Sequence, residues 1–195
     1  MYVRDAKNRD EAWLLDHIEA MGLDDAAFRS RDYVIAVDQK SNERVGFGRL
    51  RVHKTDPERC ELTGIGVLEG WRGQGVGAHV IERLVDTAEI EGFDSVYTLT
   101  DEAEYLEQFG FERVPEADLP ERLRERLAEK RETVSEDVVA LELPVEAFSM
   151  PDHLREAFKR ASEGTGEEAE PEPEDTAEDF GIDPDEATYK YDTGS

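Results

Sequence analysis

Apolar positions along the chain follow two periods, and they alternate. Short runs with strand-like patterning occur at Tyr2–Ala6, Tyr33–Asp38, Arg44–Lys54, Cys60–Val67, Ser95–Thr100, Phe111–Val114 and Asp137–Leu143. Between them, apolar residues recur every three or four positions. Trp13, Leu14, Ile18 and Met21 predict a helix over about 10–21 that stops at Gly22. Val80, Ile81, Leu84, Val85 and Ala88 predict the buried stripe of a helix reaching about Glu91 and stopped by Gly92. Asp101 is a candidate N-cap for a third helix expected over Glu102–Phe109, closed by Gly110, and a charged fourth is expected over Pro120–Lys130. The turn at Ser41–Asn42 joins two strands into a hairpin, in which Gly46 and Gly48 signal a bulge or a close approach. Strand, helix and strand in succession over 60–100 favour a parallel βαβ unit inside an otherwise antiparallel arrangement.

Composition narrows the setting. The 195 residues fit one domain with an appendage. A net charge of -26 argues against nucleic acid or an anionic membrane as partner. Acid-rich, Lys-poor composition, with six lysines, suggests a protein kept soluble at multimolar salt, as in a halophile. The single cysteine, Cys60, excludes an internal disulfide and reads as a small buried hydrophobe. The N-terminus lacks an apolar signal core and no run has the length of a membrane span, so a cytoplasmic protein is expected. His17, His53, His79 and His153 show no metal spacing and read as surface or helix-face residues. Residues 1–148 form the expected domain and 149–161 a short helical extension. Residues 162–195, with 13 acidic residues and one basic, form an acidic, largely disordered tail. Phe180, Ile182, Tyr189 and Tyr191 near its end leave open a docking peptide.

Candidate chemistry concentrates in one stretch, Glu61 to Ala78: a strand, a glycine-rich turn and a helix start. Such a unit offers unpaired N–H groups and the positive end of a helix dipole to a phosphate. The nucleoside-triphosphate loop needs a Lys and a hydroxyl after the glycines, which are missing. The dinucleotide fingerprint should follow its strand at once, with an acid closing the next strand; here Val67 lies well before Gly73 and Thr100 closes the next strand. Arg72-Gly73-Gln74-Gly75-Val76-Gly77 matches the [QR]-x-x-G-x-[GA] motif of GNAT-type N-acetyltransferases, as does its offset from Val67. Glu107-Gln108-Phe109-Gly110-Phe111-Glu112 resembles that family's second segment, and the order of elements agrees over about residues 1–148. Residues 99–120 also resemble the corresponding segment of N-acetylglutamate-synthase-like and arsenic-resistance-type acetyltransferases.

The resemblance implies an α/β fold: a mixed, mostly antiparallel sheet of about seven strands with a central splay and helices on both faces. It implies acetyl-CoA as co-substrate, no metal, and direct transfer of acetyl to the primary amine of a small metabolite or amino-acid-like substrate. Its pyrophosphate would rest on the backbone of Gly73, Gln74, Gly75, Val76, Gly77 and Ala78, aided by Arg72. Its pantetheine would follow Ile65, Gly66 and Val67, with a backbone N–H near Val67 facing the thioester oxygen. Gly64 and Gly66 favour a bulge there. Glu61 sits four residues before Ile65, on the same strand face by period two, and matches by offset the family's general base. The family's usual acid, a Tyr, is Leu106 here; Tyr105, one residue away, is the candidate donor, and Thr98 and Thr100 are placed to line the cleft. The helix containing Arg122, Arg124 and Arg126 reads as a solvated face that recognises a carboxylate only if it borders the pocket. A protein amine as acceptor and a non-catalytic acetyl-CoA sensor remain alternatives, as do monomer and homodimer.

Overall fold

The computed structural model describes residues 1–163. The aromatic and acidic positions from 164 onward lie outside the described residues. Seven strands carry the frame: β1 (Tyr2–Asp5), β2 (Tyr33–Asp38), β3 (Glu43–His53), β4 (Arg59–Val67), β5 (Ser95–Thr100), β6 (Glu112–Arg113) and β7 (Val139–Pro144). The helices are α1 (Glu11–Ala20), α2 (Val76–Ile90), α3 (Ala103–Glu107), α4 (Glu121–Thr133) and α5 (Asp152–Glu163). One sheet forms in the order β1-β2-β3-β4-β5-β7-β6. Every neighbouring pair is antiparallel except β4 and β5, which α2 connects.

Helices cover both faces. On one, the stripe of α2 (Val80, Ile81, Leu84, Val85, Ala88) is buried against Val34, Ala36, Val45, Leu50 and Leu62, with Leu106 and Phe109 in the same cluster. The helix approaches closely because β3 is bare at two positions. A Cβ on Gly46 would fall 2.8 Å from Val76 Cγ1, and one on Gly48 would fall 2.6 Å from Val80 Cγ1. On the other face, Leu14 and Ile18 of α1 pack on Tyr33, Ile35 and Phe47, and Leu123 and Leu127 of α4 pack on Tyr97 and Leu99. Burial of each Val, Leu, Ile or Phe among them contributes about 1.5–3 kcal/mol.

Two features of β4 position the site. Phe47 pairs with Gly66 but Arg49 pairs with Thr63, so β4 carries one extra residue there. Gly64 absorbs it at φ +59, a conformation that costs a side-chain-bearing residue energy. Beyond this, β4 pairs with β5 only at Glu61–Tyr97 and Leu62–Thr98. The two strands then diverge, leaving the edge of β4 from Thr63 to Val67 unpaired toward β5. This is the expected central splay.

The fourth helix departs from its expected role. Arg126 and Lys130 are buried, at 2% and 7% exposure, because α4 lies over the splay and directs both inward. His53 and His79 are likewise buried rather than superficial. His53 lies on a strand facing α4, and the His79 ring stacks on Phe158 of α5 at 3.7 Å between centroids.

Candidate active site

Three clefts join end to end. The first, about 520 Å³, lies between the turn before α2 and helix α5 and is lined by Trp71, Gly73, Gln74, Ala157 and Arg160. It continues through Trp71 and Gly73 into a second, also about 520 Å³, bounded by Ile65, Gly66, Val67, Arg72, Gly77, Tyr105 and Leu154. The second meets a third of about 290 Å³ at Leu23, Ile65, Glu102 and Tyr105. Asp24, Thr63, Gly64, Thr98, Thr100 and Lys130 line this last pocket.

The middle of the track is a helix N-terminus reached through a glycine turn. Gly75 caps α2 at φ 76, and the first backbone bond of the helix is from His79 N to Gly75 O at 3.2 Å. The N–H groups of Val76, Gly77 and Ala78 precede that bond and point out of the helix end. Arg72 Nε donates to Val67 O at 3.2 Å and Gln74 Nε2 to Gly70 O at 3.1 Å, which hold the turn. Unpaired main-chain groups on the β4 edge continue the track with donors and acceptors at peptide spacing. These features fit coenzyme A: an anion seat, then a strand edge, then a pocket at the end.

Tyr105 stands at the junction. A Cβ placed on Gly77 would lie 3.5 Å from its hydroxyl, so the phenol reaches across to the start of α2. Leu106 is buried in the core instead. The one-residue offset therefore points the tyrosine into the cleft and the leucine away from it. Burial, and then the Glu102 carboxylate, push the Tyr105 pKa above its ordinary value.

Glu61 lies elsewhere. The extra residue at Gly64 breaks the two-residue alternation, and a one-residue shift reverses the face of every later side chain. Ile65 consequently packs toward α2, 3.3 Å from where a Gly48 Cβ would be, while Glu61 faces α4. The expectation that both share a face is corrected by this bulge. The carboxylate is fully buried. It accepts from His53 Nε2 at 2.8 Å and from Arg126 Nε and Nη2, both at 3.3 Å, with Lys130 Nζ at 3.8 Å. An ionised carboxylate only accepts, so His53 carries its proton on Nε2. Burial pushes the Glu61 pKa up, but the His53 bond and the charges of Lys130 and Arg126 outweigh it and hold it at about 2.

Two cations extend this cluster to the pocket wall. Lys130 Nζ donates to Thr63 Oγ1 and to Leu99 O, each at 3.0 Å, and so bridges β4 and β5 just past their last paired residues. Arg126 also pairs with Asp24, which tethers the loop after α1 across the pocket. No local sign of these roles exists in the chain. Their only trace is that Arg126 and Lys130 are four apart on one helix face, on the same side as Leu123 and Leu127. Among the described residues, no group of three or more His, Cys, Asp or Glu gathers as a metal site. No described helix is long and apolar enough to cross a membrane.

A glycine-rich turn at a helix N-terminus after a splayed strand, inside this sheet order, is the arrangement of the GNAT fold. The family model "Acetyltransferase (GNAT) family" matches residues 3–111, and the chain belongs to that family. Among solved structures, N-acetylglutamate synthase from Neisseria gonorrhoeae, complexed with coenzyme A and N-acetyl-glutamate, is similar at TM-score 0.60 and 18% identity. That match covers 74% of this chain and 35% of the synthase, so this chain spans about a third of it. Rv2747 from Mycobacterium tuberculosis, in complex with CoA, matches at TM-score 0.60 and 17% identity over 74% of this chain and 99% of its own. Naa50 of Arabidopsis thaliana, bound to the bisubstrate analogue CoA-Ac-MVNAL, matches at TM-score 0.53 and 14% identity, covering 73% and 97% of the two chains.

Proposed function

We propose that the protein transfers acetyl from acetyl-CoA to the primary amine of a small metabolite. The continuity of the three clefts supports this reading above all. The anion seat at Gly73–Ala78 is separated from the small pocket by the open edge of β4, and the two meet at Tyr105. Acetyl-CoA supplies an activated acyl group; the protein's own part is to orient, exclude water and move protons.

Backbone N–H groups of Gly73 to Ala78, with Arg72 beside them, hold the pyrophosphate. Main-chain groups from Ile65 to Val67 hold the pantetheine, and one N–H of that edge stabilises charge on the thioester oxygen. The Tyr105 hydroxyl, protonated at neutral pH, donates to the departing thiolate. The acceptor amine occupies the third pocket, whose lining includes the hydroxyl residues Thr63, Thr98 and Thr100 and Lys130. Its ammonium proton leaves through water toward the exposed Asp101 and Glu102 at the mouth. Glu61 is a positioning residue: it fixes Arg126 and Lys130, and through Arg126 the loop at Asp24.

The pocket favours a metabolite over a protein chain. About 290 Å³, closed on one side by α4, admits a small amine or an amino-acid-like molecule. The acidic composition further supports an enzyme that works in the cytoplasm at multimolar salt. Thermal unfolding in high salt tests the first step. Coenzyme A at 100 times its Kd should add about 2.7 kcal/mol, a rise of roughly 5–10 °C. Release of free thiol with a panel of amines, amino acids and short peptides tests the second. No stabilisation at any CoA concentration overturns the reading, and turnover with peptides alone overturns the metabolite assignment.

A further inference from the structure

One wall of the first cleft is α5, which lies beyond the matched family segment, residues 3–111. This helix is anchored, not loosely apposed. Phe158 stacks on His79, Arg155 Nη2 meets Glu82 at 2.8 Å, and Leu154 O would lie 2.4 Å from a Cβ on Gly75. The last contact shows that the turn can cap α2 only with glycine there, since α5 occupies the space of any side chain. Next to the anion seat, α5 presents two small residues, Ala157 and Ala161, opposite Trp71, with Arg160 at the rim. Small residues facing an aromatic leave a flat slot. Among the described residues Arg160 pairs with Glu156 at 3.3 Å, and this pair is 78% and 64% exposed. Such a pair contributes little, so its guanidinium is available to another anion.

Resting on the acetyl-CoA reading, we propose that α5 forms the seat for the adenosine end of coenzyme A. The slot between Trp71 and Ala157 takes the base, and Arg160 takes the 3′-phosphate. Position supports this: the cleft opens from Gly73, at the end of the anion seat opposite Tyr105, where the nucleotide must emerge if the thioester is at Tyr105. Chemistry supports it as well. Guanidinium is suited to a terminal phosphate, and an aromatic face to a base. The helix beyond the family segment is thereby a selectivity element that distinguishes coenzyme A from its dephosphorylated form.

Calorimetric titration of the full chain with CoA and with dephospho-CoA tests this, in the lowest salt that preserves the circular dichroism spectrum. The wild-type protein should bind CoA about 10-fold more tightly than dephospho-CoA, the size of one charge-assisted hydrogen bond. Arg160→Ala should abolish that preference and leave dephospho-CoA affinity unchanged, while Arg160→Lys retains part of it. Ala157→Leu, which fills the slot, should weaken both ligands alike. A preference that persists in Arg160→Ala, or equal affinities in the wild type, overturns the subsite and leaves the acetyl-CoA reading standing. Failure of the wild type to bind either form overturns both.

Discussion

Replacing Glu61 by Gln separates two jobs for this carboxylate. The substitution keeps shape and removes charge, leaving Arg126 and Lys130 buried with Asp24 and the rim residue Glu129 as their anionic neighbours. The magnitude follows from the structure in two ways. The Glu61 pKa is lowered from 4.5 to about 2, a difference that corresponds to about 3 kcal/mol. Removal of one partner from a buried ion pair costs about 3–5 kcal/mol by direct comparison with other proteins. The sign is that of a depressed carboxyl: the contribution is fully present above the unfolded value and is lost as pH falls through about 2. At neutral pH, Glu61→Gln should therefore lower stability by about 3 kcal/mol or more, and the melting temperature by about 6–20 °C. High salt should not restore it, because buried charges are poorly screened. Urea unfolding followed by circular dichroism measures the loss. Turnover measured well below the new midpoint, as a function of pH, reads the chemistry. The acid limb of kcat/KM should have the same midpoint in both proteins. If instead stability changes by less than about 1 kcal/mol, while turnover falls 100-fold or more and CoA affinity is kept, the carboxylate acts on the substrate proton and the anchoring argument is wrong.

Two further substitutions probe the junction and the lid. Tyr105→Phe should lower kcat by about 10–100-fold, with stability within about 0.5 kcal/mol of wild type, because its hydroxyl works on the leaving group and holds no element in place. Since burial and Glu102 raise its pKa above 10, the wild-type kcat should fall only at strongly alkaline pH, and that fall should vanish in the variant; an unchanged kcat at neutral pH removes Tyr105 from the mechanism. Asp24→Asn should raise the acceptor KM about 10-fold and leave CoA affinity unchanged, because one charge-assisted contact with Arg126 closes the loop over the pocket. Burial works to raise the Asp24 pKa, but its bonds from Arg126 and Ala26 N lower it overall, so the latch should persist into mildly acidic solution; equal KM values for the two proteins would rule out the lid.

The local architecture was legible in the order of the residues. Alternation and helical spacing located seven strands and the main helices, since each depends on which side chains a few residues apart share a face. The turn at Arg72–Gly77 was legible because its work is done by backbone, and only glycine permits the Gly75 conformation and the close approach of α5. What the sequence could not convey was which face of β4 meets which ligand. One inserted residue at Gly64 reverses the alternation, and its effect appears only once β3 fixes the register. Nor could it show that Arg126 and Lys130, in a helix of charged residues, turn inward. Burying them is tolerable only because Glu61, Asp24, Thr63 and Leu99 O converge from other elements. Tyr105 illustrates the same division. Its spacing placed it beside the expected position, but the packing of Leu106 into the core decided that the phenol faces the cleft.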